Sequence, residues 1–239
     1  MKILITNDDG ITSDGLKLLV SKARKYGEII IIAPENEQSG KSQSIEIKKG
    51  MKIKENFLYE GIKAYQITAS PADCVRFAKY GLHLDFDIVF SGINRGYNLG
   101  DDIMYSGTVG AASEAVLMGK KAIAFSSYRQ GFVGIEKYFD EIMKYFFDNK
   151  LLDKGNFYNV NVGEEVKGIK ITRQGYTHFN TYFEEKDGEF YQKGNHNFEL
   201  ERSKTQSDVF AITEGLVSIT PLTVDRTDVT LYNSLINEK

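Results

Sequence analysis

The chain has 239 residues, 41% hydrophobic and 26% charged, the balance of an ordinary globular protein able to bury a sizeable core. Its net charge of −3, from 30 basic and 33 acidic side chains, supplies no general basic field. That argues against polymeric nucleic acid as a partner but leaves room for a local cation site that recruits a phosphate. Cys74 is the only cysteine, which excludes an internal disulfide and fits a reducing compartment. With one thiol and three scattered histidines, His83, His178 and His196, any metal is expected to be a hard ion held by oxygen.

At the N-terminus, Ile3, Leu4 and Ile5 form a short apolar run suited to a strand covered on both faces, and Gly10 allows a sharp turn after it. Between them stand Asp8 and Asp9. Ligands of open α/β sheets bind outside the carboxyl ends of the strands, so adjacent carboxylates there read as a cation site. The plainer alternative is a turn that caps the next helix. Asn7, Asp8 and Asp9 also interrupt the apolar run long before it could cross a bilayer, so neither a signal peptide nor a membrane partner is expected, and the expected location is cytoplasmic.

Leu16, Leu18, Leu19, Val20 and Ala23 give an apolar helical face that ends near Gly27. The β-branched run 28–33 reads as a central parallel strand stopped by Pro34, and a polar loop, 35–42, follows it. Residues 44–67 alternate at Ile45/Ile47 and Met51/Ile53 with a turn at Lys49-Gly50, which predicts a β insertion. Ser70-Pro71-Ala72-Asp73 combines a capping hydroxyl, a proline at the first helical position and an acid at the third. Cys74, Val75, Phe77 and Ala78 are the expected core face of that helix. Residues 87–90 form the next strand and run into a loop, 91–102, rich in oxygen and glycine. Three strand ends thus carry polar loops, which a doubly wound sheet brings to one edge, so Asp8, Asp9, Ser39 and Asn94 are expected to converge.

Tyr105-Ser106-Gly107-Thr108-Val109-Gly110 opens a helix whose start resembles an anion cradle, with two hydroxyls, two glycines that let a ligand approach and unpaired first-turn N–H groups. Residues 121–126 read as a strand and 135–147 as a helix with Tyr138, Phe139, Tyr145 and Phe146 in the core or an interface. Strands follow at 159–162 and 169–172. A long alternating stretch, 176–191, breaks at Lys186-Asp187-Gly188, a strong hairpin signal. Such a hairpin, carrying Phe179, Tyr182, Phe183 and Phe190, is marginal alone and is expected to pack on another subunit. His178 and His196 are expected at the surface or that interface. Residues 207–215 read as a short capped helix, 216–220 as a last strand stopped by Pro221, and 227–237 as a terminal helix.

Several of these motifs lie together in one known pattern. Asn7-Asp8-Asp9-Gly10, Ala33-Pro34 with Ser39-Gly40, Ser91-Gly92-Ile93-Asn94 with Gly96 and Asn98-Leu99-Gly100, Tyr105 to Ala112, and Ser218-Ile219-Thr220-Pro221-Leu222 resemble the SurE (survival protein E) nucleotidases over nearly the whole chain. The resemblance implies an α/β fold in one domain: a Rossmann-like three-layer core with a mostly parallel sheet at 1–150, then a protruding hairpin and C-terminal exchange segment at 151–239 that builds a homodimer or homotetramer. It implies a metal-dependent phosphatase of nucleoside 5′- and 3′-monophosphates, some members also trimming short polyphosphate. By the same resemblance Asp8, Asp9, Ser39 and Asn94 hold one divalent cation per subunit, Mg²⁺ or Mn²⁺. Asn98, Ser106, Gly107 and Thr108 hold the phosphate and substrate, and Asp8, Asp9 and Asn94 are catalytic. Gln38, Gln43 and Ala69 depart from the family pattern at positions that bear on substrate preference.

The expected mechanism is in-line attack on phosphorus by a metal-activated water that Asp8 or Asp9 orients, with the helix start at Ser106 stabilising the equatorial oxygens. An aspartyl-phosphate route lacks its Asp-x-Asp arrangement. A dinucleotide-dependent oxidoreductase lacks Gly-x-Gly-x-x-Gly after the first strand. The alternative from another class is a metal-stabilised nucleotide-binding protein without turnover.

Overall fold

A computed structural model of the chain describes residues 1–237. In order, the elements are β1 (Lys2–Thr6), α1 (Asp14–Ala23), β2 (Glu28–Pro34), β3 (Ile53–Asn56), β4 (Lys63–Ile67), α2 (Pro71–Arg76), β5 (Ile88–Arg95), α3 (Gly107–Leu117), β6 (Lys121–Ser127), α4 (Val133–Asp148), α5 (Leu151–Lys154) and β7 (Phe157–Val162). There follow β8 (Ile169–Ile171), β9 (Tyr182–Lys186), β10 (Glu189–Lys193), α6 (Asp208–Thr213), β11 (Val217–Pro221) and α7 (Val229–Asn237).

Nine strands form one sheet in the order β3-β4-β2-β1-β5-β6-β7-β11-β8. From β4 to β7 every neighbouring pair is parallel, whereas β3 runs antiparallel to β4 and β11 to β7. The chain leaves β1 for β2 on one side and later returns to place β5 on the other. β1 is therefore the strand at which the order reverses, and the crevice beyond its carboxyl end is where such sheets take ligands.

The strands are apolar throughout because both faces are covered, and successive side chains supply opposite layers. Ile3, Ile5, Ile31 and Phe125 pack with Leu16 and Leu19 of α1 and Phe139 of α4. Leu4, Ile32 and Val89 pack with Cys74 and Val75 of α2 and Ala111, Ala112 and Ala115 of α3. The small alanine face of α3 lets that helix lie close on β5 and β6. The expected three-layer α/β arrangement is thus present. Serines cap the helices that frame the crevice: Ser13 for α1, Ser70 in a reciprocal box with Asp73 for α2, and Ser106 for α3.

The expected strand around Ile45 and Ile47 does not form. The Glu46 carboxylate accepts hydrogen bonds from the Lys48 and Lys49 N–H groups at 2.8 and 2.9 Å, a local turn that competes with a ladder. Only β3 and β4 appear there, and they extend the main sheet instead of forming a separate insertion. The alternating stretch 176–191 is likewise strand only over β9 and β10. Lys186 pairs with Glu189 across Asp187 and Gly188, whose φ values of +55° and +80° give the two-residue turn that matches strand twist. Every residue of this hairpin is exposed, and α7 buries none of its own. Among the described residues no helix is long and apolar enough to cross a membrane.

Phe139 is fully buried and its ring contacts both Phe125 and Tyr26. Phe139→Ala is expected to lower stability by about 3–5 kcal/mol, read as a lower urea midpoint with an unchanged slope.

Candidate active site

The carboxyl ends of β1, β2 and β5 open into a cavity of about 910 Å³, and Asp8, Asp9, Ser39, Asn94, Asn98 and Ser106 all line it. Parallel pairing makes this possible: strand ends 30 to 90 residues apart in sequence share one edge. The loop after β2 is drawn to the loop after β1 by a hydrogen bond from the Gln38 N–H to the Asp8 carbonyl at 2.7 Å.

Asp8 is buried, and its Oδ1 accepts from the Thr108 hydroxyl. Burial raises the carboxyl from its usual 3.8 to about 6, against the opposing pull of Thr108. Asp9 is also raised, chiefly by burial, with Glu37 adding repulsion and the Arg95 N–H, which donates to Oδ2 at 3.3 Å, pulling the other way. The Asn94 amide donates to the Gly96 carbonyl at 2.8 Å, which turns its oxygen away from that contact. The Ser39 hydroxyl donates to Glu37 Oε1 at 2.6 Å, so its oxygen keeps its lone pairs. Two carboxylates and two neutral side-chain oxygens lining one cavity make a donor set suited to a hard divalent cation. Among the described residues no three His, Cys, Asp or Glu side chains gather as a metal cluster, so a cation here depends on those neutral oxygens.

The start of α3 differs from the expected cradle. Thr108 is fully buried and its hydroxyl is engaged by Asp8, so it stands behind the acid and does not line the cavity. The Ser106 oxygen caps the helix by accepting from the Val109 N–H at 3.0 Å. The space at the glycines is taken by protein: a Cβ on Gly107 would lie 2.9 Å from Asp8 Cβ, and one on Gly110 would lie 2.4 Å from the Ser42 carbonyl oxygen. These glycines admit the acid and a loop, not a ligand. Of the α3 start, Ser106 is the residue that lines the cavity.

Asn98 sits on a lattice of amides from the second half of the chain. Its N–H donates to Asn161 Oδ1 at 2.8 Å, its carbonyl accepts from Asn159 and Asn161 at 2.8 and 3.0 Å, and its own amide donates to the Ser126 hydroxyl at 2.8 Å. Asp208, at the start of α6, accepts from the Gly100 and Gly175 N–H groups at 2.9 and 2.8 Å, which ties the loop after β5 to the C-terminal half. Burial raises its carboxyl despite these donors. The sequence reading missed both, because nothing local marks β7 or α6 as supports for β5. It also missed Arg95, Asp102, Tyr105, Arg129, His196 and Phe198, which line the cavity.

The family model for survival protein SurE matches residues 3–181. The chain belongs to the SurE family. Proteins named 5′-nucleotidase SurE from Clostridium botulinum strain Eklund 17B and Natranaerobius thermophilus are 37% and 35% identical to it, with 95% of both chains aligned in the first case, and 99% of this chain and 98% of the relative in the second. The crystal structure of the SurE protein from Aquifex aeolicus superposes with a TM-score of 0.81 at 30% identity, covering 99% of each chain. The SurE fold thus extends beyond the matched segment and through the C-terminal elements.

In this SurE chain the Asp208 carboxylate faces backbone donors on both oxygens, so an amide in its place would turn an NH₂ toward one of them. Asp208→Asn is expected to cost about 1–3 kcal/mol and to speed hydrogen exchange at the Gly100 N–H. Unchanged exchange there would show that the loop is held by other contacts.

Proposed function

We propose that this chain hydrolyses nucleoside 5′-monophosphates to nucleoside and inorganic phosphate, using one divalent cation, Mg²⁺ or Mn²⁺, held by Asp8, Asp9, Ser39 and Asn94. The names of its relatives support the reaction. The observation that carries the cation is the charge of the cavity: five carboxylates, from Asp8, Asp9, Asp14, Glu37 and Asp102, against two guanidinium groups, from Arg95 and Arg129. A phosphate dianion approaching that lining is repelled until positive charge is added. A divalent cation bound there supplies Lewis-acid polarisation of the phosphoryl oxygens and a water acidified toward neutrality.

The chain's own groups do the rest. Asp9, less deeply buried than Asp8, orients the attacking water and takes its proton. Asp8, fixed by Thr108, holds its side of the cation site without rotating. The positive end of α3 faces the equatorial oxygens, and Ser106 and Asn98 set the floor on which the ester rests. In this reading 3′-monophosphates and short polyphosphate are secondary substrates. The hairpin β9–β10 and α7, with Phe183, Phe190, Leu231 and Leu235 exposed, are the contacts of a homodimer or homotetramer in the cytoplasm.

The test is phosphate release from a panel of nucleoside monophosphates, with chelator-stripped protein and Mg²⁺ or Mn²⁺ restored. Release is expected to require the metal and to fall roughly 10²–10⁴-fold in Asp9→Asn. A nucleotide that raises Tm with no phosphate released would replace the hydrolase with a binding protein.

A further inference from the structure

The cavity is far larger than a phosphate needs, and its second end is built differently from its first. The segment after β10 returns to the body and brings His196 and Phe198 to the cavity wall. The imidazole is held on three sides: Nε2 lies 2.8 Å from Asp102 Oδ2, the ring meets Phe179 edge-to-face at 5.0 Å, and Phe198 lies 5.3 Å away, inclined by 32°. The His196 side chain nevertheless keeps 40% of its surface exposed. Tyr105, 66% exposed, lines the same cavity. Aromatic side chains held in place and partly exposed at a cavity wall suit a flat, uncharged π-system.

The two ends are joined by one turn of chain. The Ser106 N–H donates to the Asp102 carbonyl at 3.1 Å, so the residue that holds His196 lies four positions from the residue beside the phosphate end. Four residues closed by such an i→i+4 bond rise about 6 Å, the order of the reach from the phosphorus to the base of a nucleotide.

Resting on the hydrolase reading above, we propose that His196 and Phe198 form the leaving-group subsite: an aromatic wall on which the nucleobase of the substrate stacks, so that this segment sets the preference for nucleotides over other phosphate monoesters. Base stacking on an aromatic side chain tolerates any base because each offers a π-face. The subsite therefore selects for a base as such, and purines, with the larger face, above pyrimidines.

The experiment compares AMP with ribose 5-phosphate, which keeps the ester and the sugar and lacks the base, on the full-length, metal-restored protein. Phe198→Leu keeps apolar volume without a ring, His196→Gln keeps a hydrogen-bonding group for Asp102 without one, and Phe198→Tyr keeps the ring. The ratio of kcat/KM for AMP to that for ribose 5-phosphate is expected to fall about tenfold or more in the first two variants, mainly through KM for AMP, and to survive in Phe198→Tyr. Equal losses on both esters would make the segment merely structural and overturn the subsite, as would a wild-type ratio near one. Release from neither ester by the wild type would overturn the hydrolase reading and the subsite with it.

Discussion

A carboxylate withdrawn from water needs donors at hand, and the structure around the cavity follows from supplying them to Asp8. The acid lies at the end of β1, where the sheet order reverses, against the first turn of α3. Thr108 provides the hydroxyl, and glycine at 107 is required because a Cβ there would collide with Asp8 Cβ at 2.9 Å. The alanine face of α3 on β5 and β6 then fixes how deep the helix start sits. Burial and donor oppose one another, and burial prevails, since the Asp8 carboxyl rests at about 6. An acid so placed favours any positive charge brought to its free oxygen, which is why the electrostatics of the crevice and the packing of α3 are one problem.

A second constraint is that the crevice has no floor made by its own strands. β5 ends in the loop that carries Asn94 and Asn98, and a loop free to move would scatter those amides. Asn159 and Asn161 of β7 and Asp208 at the start of α6 hold it by contacts to its backbone. Anchors on the loop backbone suit this task, because they fix its path while the Ser126 hydroxyl and the Gly96 carbonyl fix the Asn98 and Asn94 amides. The residues past 150 are therefore part of the site's support, although the acids all precede 103.

Local chemistry is what the sequence made readable. Ser70 with Asp73, Ser207 and Asp187-Gly188 each act within four residues of themselves, and each cap or turn formed where expected. The parallel core was readable for a related reason, since runs such as residues 28–33 have both faces apolar. The convergence of Asp8, Asp9, Ser39 and Asn94 on one cavity followed from topology alone. What was not readable turns on orientation or distance. Thr108 has the hydroxyl an anion cradle needs, yet its position in the first turn points it at Asp8. Alternation at Ile45 and Ile47 looked like a strand, but the Glu46 side chain had a nearer use for the backbone. His196 lies 94 residues from Asp102, and no periodicity joins them.

The hairpin and the cavity mouth are coupled by that last pair. A two-stranded hairpin with every residue exposed has little stability of its own, so its position depends on its base. There the Asn180 N–H donates to the Asn195 carbonyl at 3.1 Å, the Asn197 N–H to the Thr177 carbonyl at 3.0 Å, and His196 closes on Asp102. Thr177 in turn is fully buried, and its N–H would lie only 2.9 Å from a Cβ on Gly100, the residue whose N–H Asp208 holds. The contacts that steady the arm are thus the contacts that shape the aromatic end of the cavity. Anything that docks on the arm acts on a segment whose other face is the wall of the site.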